Sequence, residues 1–333
     1  MIFKKFYWPL KLVAFGIICV LVFMAIRSVI IAEIQKATKP LQKEIAGLKT
    51  AIDSLEYKYK YRKIELPKTI DFCGERVFLY SYSDSLLLWK AMSFFLDRFY
   101  QTSLLLSAIN YYLPWNEAIL EKDSLPLDLK LVPVVESNLD PQAQSWAKAL
   151  GYWQFVPSTG RQRKLVINED IDQRRDPILS TKAAAEHFSY LYKLFGNWQL
   201  ALAAYNAGEN NIKKAQKKQG YQDYTLLYLN NETRNYVFMI LAFKIIYDNP
   251  EKYGFHLADH QKFAPLVFDT VTVDVGKKSL TFSKIAQICN VPVQVMREFN
   301  PAFIKNMIPK GKWMIRLPSG KRQIFLTKYP QYG

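Results

Sequence analysis

Leu131-Val132-Pro133-Val134-Val135-Glu136-Ser137-Asn138-Leu139-Asp140-Pro141 is the stretch on which the reading of this chain turns. An apolar run leads straight into a glutamate, and the residues after it (Ser, Asn, Asp, Pro) favour a turn. A carboxylate at the end of such a run loses hydration and therefore holds its proton more tightly. A general acid needs that property to protonate a leaving oxygen. Any single glutamate is more commonly a solvated or helix-terminal one, so the weight falls on its surroundings.

Downstream stand Ser145, then Gly151-Tyr152-Trp153-Gln154-Phe155-Val156-Pro157 and Thr159. From about Ser83 to Asn249 the apolar spacing is helical, broken at Asp84, at Ser124-Leu125-Pro126 and after Glu136. Ser180 reads as the cap of a helix that runs to Phe195 and closes at Gly196. The next helix runs from Trp198 to Gly208, and Glu232 opens the last one, which stops before Pro250. No alternation of strands and helices suggests a parallel sheet, so the body is expected to be all-α. After Pro265 the pattern changes. Val267 to Val273 alternates as a strand, Phe282 to Cys289 and Pro292 to Phe299 read as short helices, and Trp313 to Leu317 as a returning strand. This tail has the makings of a separate folding unit.

The chain has 333 residues, 50% of them apolar and 22% charged, which is a globular composition and not a disordered one. Its net charge of +16 is scattered, with no nucleic-acid motif beside it, so anionic lipid or a wall polymer is the better partner. Lys213, Lys214, Lys217 and Lys218 read as a solvated helix face. The aromatic content of 15% fits sugar contact, though most rings belong to the core, Trp153 and Trp198 among them. Cys19, Cys73 and Cys289 are too few for a disulfide framework, and no ligand-spaced cluster suggests a metal.

At the N-terminus Lys4, Lys5 and Lys11 precede the uncharged run Leu12 to Ile26. Those 15 residues fall short of the ~20 that span a bilayer, but Phe6 to Ala32, with Lys11 and Arg27 snorkelling, suffice. Basic residues ahead of the run keep that end in the cytoplasm and export the rest. A cleaved signal peptide is the alternative. No small-x-small site follows the run, and Ile17-Ile18 before Cys19 is no lipobox, so an uncleaved anchor is favoured. Past Pro40, Leu41, Ile45, Leu48, Ile52, Leu55 and Tyr59 keep the a/d spacing of a coiled-coil seam, or of a helix packed on the body.

Several motifs agree in order. Glu136-Ser137, Pro141, Ser145, Gly151-x-Trp153-Gln154-Phe155-x-Pro157 and Thr159 come first. Asp176-Pro177-x-x-Ser180-Thr181-x-Ala183-Ala184 follows, then Leu191 to Gly208 with its Ala204-Tyr205-Asn206-Ala207-Gly208. Glu232-Thr233-Arg234-x-Tyr236-Val237 and Asn249-Pro250-x-x-Tyr253-Gly254-Phe255 complete the set. Together they resemble the lytic transglycosylases of the soluble-lytic-transglycosylase type, which have a goose-lysozyme-like fold. In the tail, Leu280, Ile285-Ala286, Val291-Pro292, Val295, Phe299-Asn300, Ile308-Pro309-x-Gly311 and Ile315-x-Leu317-Pro318 resemble a divergent LysM module.

The resemblance implies a mainly α fold: a goose-lysozyme-like helical catalytic domain, a small α/β LysM-like C-terminal domain and an N-terminal membrane helix. The expected boundaries are 1–32 for the anchor, 33–70 for a helical stalk, 71–264 for the catalytic domain and 265–333 for the LysM-like domain. Glu136 would be the sole acid/base. Ser145 and Gln154 would bind the N-acetylmuramyl residue, Tyr205 and Asn206 would form the opposing wall, and Tyr236 would hydrogen-bond at the reacting sugar or Glu136. Glu232 and Arg234 would be structural, a helix cap and an ion-pair partner. Lys148 stands where the family usually has Gly, and puts a charge beside the cleft. The implied chemistry cuts peptidoglycan glycan strands and closes a 1,6-anhydro ring on N-acetylmuramic acid, without a cofactor. It would take place on the periplasmic side of the inner membrane. A hydrolytic muramidase is disfavoured by the lack of a clear second acid in the motifs. A non-catalytic wall-binding scaffold is disfavoured because Glu136, Gln154, Tyr205, Asn206 and Tyr236 occur together. The LysM-like tail would hold N-acetylglucosamine-containing glycan.

Overall fold

The computed structural model describes residues 7–60, 64–276 and 279–329, with side chains from 12 to 53 in the first segment. Lys4, Lys5, Phe6, Lys11, Leu55 and Tyr59 therefore lie outside the described residues or side chains. The chain forms two compact units, 1–63 and 64–333.

The first unit is one helix, α1 (Tyr7–Lys60), of 54 residues. It passes through Pro40, which removes one backbone hydrogen bond, and at ~1.5 Å per residue it is some 80 Å long. By length and composition it could cross a membrane. Its apolar side chains between Leu12 and Ile34 are exposed, and so are Leu41, Ile45, Leu48 and Ile52 of the heptad seam.

The second unit opens with a hairpin that the sequence pattern did not suggest, β1 (Thr69–Phe72) and β2 (Glu75–Phe78). Its two-residue turn, Cys73-Gly74, has positive φ at both positions (56° and 76°), the backbone twist that suits tight hairpins. The hairpin buries Ile70, Phe72 and Val77, while the Glu75 carboxylate accepts from the Trp198 amide at 2.9 Å. Helices α2 (Tyr82–Asp97), α3 (Phe99–Lys122), α4 (Val132–Ser137), α5 (Pro157–Gln162), α6 (Pro177–Phe195), α7 (Trp198–Ala207), α8 (Glu209–Gln219) and α9 (Asn231–Asp248) surround one apolar core. Two helix starts differ from expectation. Asp176, not Ser180, caps α6, accepting from the Ile178 and Leu179 amides, because Pro177 suits the first helical position and sets the boundary. Asn230, not Glu232, caps α9. Trp153 and Trp198 are buried, the four α8 lysines are exposed, and Arg234 pairs with Asp84 at 2.8 Å.

The tail contains β3 (Phe268–Val275), β4 (Leu280–Thr281), α10 (Phe282–Cys289), α11 (Val293–Phe299), β5 (Met307–Ile308), β6 (Gly311–Pro318) and α12 (Arg322–Lys328), of which the two-residue strands β4 and β5 and the helix α12 were unforeseen. β3 and β6 pair antiparallel from Phe268↔Pro318 to Val275↔Gly311. This second core is distinct from the first but not detached from the body. Ile171, from the helical body, is buried inside it and bridges to Phe303. The Asp172 amide donates to Ala302 O and the Ile304 amide to Asp170 O, both at 2.8 Å. Arg316 on β6 grips Asp176 with both terminal nitrogens, at 2.5 and 2.9 Å, and both residues are buried. Cys73 and Cys289 lie in different cores and are unbridged.

Candidate active site

Helix α4 is only six residues long, and its job in the fold is positional: it ends at Asn138, whose φ of 52° reverses the chain directly after Glu136-Ser137. Ser137 is buried and donates toward Pro133 O and Tyr152 O, which fastens the end of α4 to the next strand of chain. Glu136 is left partly open to a cleft of about 500 Å³. Burial lifts its carboxyl from 4.5 to about 7, against the opposing effect of a hydrogen bond from Tyr236. That bond, Tyr236 Oη to Glu136 Oε1, is 2.6 Å long and spans 100 residues of sequence.

Glu136, Ser145, Gln154, Tyr205 and Asn206 all line this cleft. Tyr236 does not; it is buried and touches Glu136 directly. Ser145 closes a tight turn, its amide donating to Ala149 O at 2.9 Å while its Oγ accepts from the Ala149 amide at 3.1 Å. Gln154 sits at φ 48° and donates to Ala143 O and Gly151 O. Gly151 is obligatory here: at φ 86°, a Cβ would lie 1.8 Å from Arg174 O. The loop is anchored by buried Arg174, which pairs with Asp172 and donates to Lys148 O and Phe155 O. Lys148 has φ 62°, which explains why glycine suits the position, and its exposed side chain is not part of the cleft lining.

Tyr205 stacks on Phe188, ring centroids 4.6 Å apart, and donates to Trp153 O at 2.8 Å. Behind it lies a fully buried polar chain. Trp153 Nε1 donates to Thr181 Oγ1 at 2.7 Å, Thr181 Oγ1 lies 3.0 Å from Asn116 Oδ1, and Asn116 Nδ2 donates to Tyr152 Oη at 3.1 Å. Burial raises the Tyr205 and Tyr236 hydroxyls well above their ordinary range, so both are neutral donors.

Among the other residues lining the cleft, four bear on its chemistry and were not placed there by sequence reasoning. Glu209 and Glu232 occupy the first turns of α8 and α9, so the cleft holds carboxylates besides Glu136. Trp146 is 97% exposed at the rim, a large ring among the small and polar residues of its loop, which is the sequence signal that could have flagged it. His187 is buried in the wall; burial and the Arg163 charge lower it to about 4, which leaves it neutral.

Residues 114–227 match the model of the transglycosylase SLT domain, and residues 268–332 that of the LysM-like domain of lytic transglycosylase MltD. Membrane-bound lytic murein transglycosylase D of Escherichia coli K12 is 36% identical over 196 residues, which are 57% of this chain and 42% of that protein. The counterpart from a second E. coli strain aligns equally. The chain thus spans less than half the length of these relatives. The crystal structure of the 70 kDa soluble lytic transglycosylase of E. coli covers 42% of this chain and 24% of that one at 22% identity, with a TM-score of 0.37. Glu136, Ser145, Gln154, Tyr205 and Asn206 fall inside the first matched segment, and Tyr236 nine residues beyond it. The chain therefore carries a segment matching the transglycosylase SLT domain at 114–227, followed at 268–332 by one matching the LysM-like domain of lytic transglycosylase MltD.

Proposed function

We propose that the chain cleaves the β-1,4 bond between N-acetylmuramic acid and N-acetylglucosamine in peptidoglycan, leaving 1,6-anhydromuramic ends, for wall turnover or remodelling. The observation that carries this reading is Glu136: a carboxyl raised to about 7 by burial, held by Tyr236, facing a cleft within an SLT domain. Protonated, Glu136 gives its proton to the bridging oxygen as the C1–O bond breaks, and the 2-acetamido group stabilises the oxocarbenium-like centre. The carboxylate so formed then takes the proton of the C6 hydroxyl, whose oxygen bonds to C1. One group thus serves as acid and then base, and no water is consumed. Ser145, Gln154, Tyr205 and Asn206 are assigned to sugar binding, Tyr236 to holding Glu136. Mass spectrometry of muropeptides released from purified sacculi tests the reading, which requires anhydro ends. Reducing ends would transfer the assignment to a hydrolytic muramidase, a second reading favoured by the carboxylates of Glu209 and Glu232 in the same cleft.

Tyr236→Phe removes the bond that stabilises the charged form of Glu136, while burial persists, so the Glu136 carboxyl rises further. Since the acid must be protonated, the alkaline limb of kcat/KM, set near 7 in the unsubstituted chain, should move to higher pH. The maximal rate should fall by about 10-fold or more as the carboxyl loses its fixed orientation. A limb that stays put or moves down contradicts the role given to Tyr236.

For location we propose the periplasmic face of the inner membrane, with α1 as an uncleaved anchor; its exposed apolar side chains support this. The full chain should sediment with membranes, resist extraction by salt and carbonate, and retain its first residues on N-terminal analysis. A mature protein beginning near residues 28–33 would make the segment a signal peptide.

A further inference from the structure

A second hollow, about 580 Å³, lies where the LysM-like domain meets the helical body. One wall is Tyr111 and Tyr112 of α3 with Pro141 and Gln142; the other is α11 and the chain after it, with Gln294, Arg297, Glu298 and Phe303. Its two walls are fixed relative to each other by the buried Arg316–Asp176 pair and by Ile171 within the tail's core. The hollow adjoins the cleft through one loop, since Pro141 and Gln142 line the former and Ser145, Trp146, Ala147 and Ala149 the latter.

Two half-buried guanidinium groups, Arg175 and Arg297, line this hollow, and among the described residues neither forms an ion pair. Arg297 is fixed at the edge by donating to Lys305 O and Ile304 O, and Arg175 leans on Gln142 with its Nε buried and unpartnered. They are close enough that the charge of Arg175, after burial, helps depress Arg297. Glu298 is the one carboxylate in the lining and accepts from Gln294 at 2.9 Å, so the lining stays net cationic. The tail as a whole repeats the sign: residues 268–332 hold eleven Lys and Arg against three Asp and Glu, +8 of the chain's +16. Unpaired, mutually repelling guanidiniums in a preformed hollow are a site for carboxylates, which they bind in planar, two-pronged fashion. The neutral N-acetylglucosamine expected of a LysM module calls for no such charge.

We propose that this hollow takes the carboxylates of the peptide stems carried by a peptidoglycan strand, so that the LysM-like domain extends the catalytic cleft as a fixed stem-reading wall. The inference rests on peptidoglycan being the substrate. It is tested by equilibrium binding of the full chain carrying Glu136→Gln, so that no strand is cut. The probes are glycan strands with their stems and the same strands after an amidase has removed them. Stripping leaves one lactyl carboxylate per muramyl residue in place of the several of each stem, so general charge attraction also favours the stem-bearing strand, and the variants of the hollow decide whether the preference arises there. The expected result is about ten-fold tighter binding of stem-bearing strands, lost when Arg175→Gln and Arg297→Gln are combined. Gln294→Glu, which breaks no backbone contact, should also diminish the preference, and Gln294→Lys should increase it. Equal binding of both strands by the parent, an equal loss on both with every variant, or a preference that no variant moves would each overturn the proposal. Absence of anhydro ends with the unsubstituted enzyme would instead sink the catalytic reading, leaving the stem preference to be judged by binding alone.

Discussion

Glu136→Gln should abolish release of anhydro-muropeptides and, at alkaline pH, leave the protein harder to unfold. A positioned acid/base is worth about 10²–10⁴ in rate, and since one carboxyl here is assigned both proton transfers, the loss should reach the upper end or exceed it. The stability gain follows from the raised pKa. Below 4.5 both folded and unfolded chains carry the proton, and the residue costs nothing. Between 4.5 and about 7 the folded state keeps a proton that the unfolded chain releases, so stability declines as pH rises, and above 7 the full cost applies. Because Glu136 is partly open to the cleft, that cost is discounted to about 1–2 kcal/mol. Gln escapes it and still accepts the Tyr236 hydrogen bond. Thermal unfolding should therefore show a Tm gain of ~2–6 °C near pH 8 that vanishes at ~4.5. A variant that still cleaves sacculi at the parent rate would remove Glu136 from the mechanism, and a Tm gain independent of pH would remove burial as the cause of its raised pKa.

The second large effect is expected from residues outside the cleft lining. Arg316→Ala would strand the Asp176 carboxylate, buried and already committed to capping α6. Breaking one side of a buried pair costs about 3–5 kcal/mol, against the 5–15 kcal/mol that holds a typical protein folded. Adding Asp176→Asn to the variant removes the orphaned charge and keeps a capping side chain, so it should restore a good part of the loss. Chemical denaturation of the two single variants and the double provides the measurement. A loss under about 1 kcal/mol for Arg316→Ala would mean the pair is not the fastening it resembles. The same contact bears on cutting the chain near Pro265. Removing the tail would bare Ile171 and Asp176, so a fragment ending there should be less stable, whatever it retains of the chemistry.

The helical body was legible because its apolar spacing is regular, and Glu136 because an apolar run ending in a carboxylate is unusual. Tyr236 was reachable only through motif resemblance, since nothing local ties it to a partner 100 residues away. Cap positions misled where several cap-forming residues crowd together: Asp176 lies four residues before Ser180, and Asn230 two before Glu232. With its capping role gone, Glu232 is instead found in the cleft. The β1–β2 hairpin has four-residue strands, too short for alternation to register. Arg316 and Asp176 are 140 positions apart, one on a strand and one at a helix start, and no periodicity records such a meeting.

The buried chain Trp153–Thr181–Asn116–Tyr152 has a bearing on how this protein can change over generations. Each member satisfies its neighbour, and a polar group left unmatched in the interior costs about 1–3 kcal/mol. Losing any one therefore devalues the next, and the four substitutions should be strongly non-additive. Lineages would then hold the quartet intact or exchange it together, with single departures rare because every first step is downhill in fitness. Tyr152 and Asn116, joined directly at 3.1 Å, are the two members expected to change together.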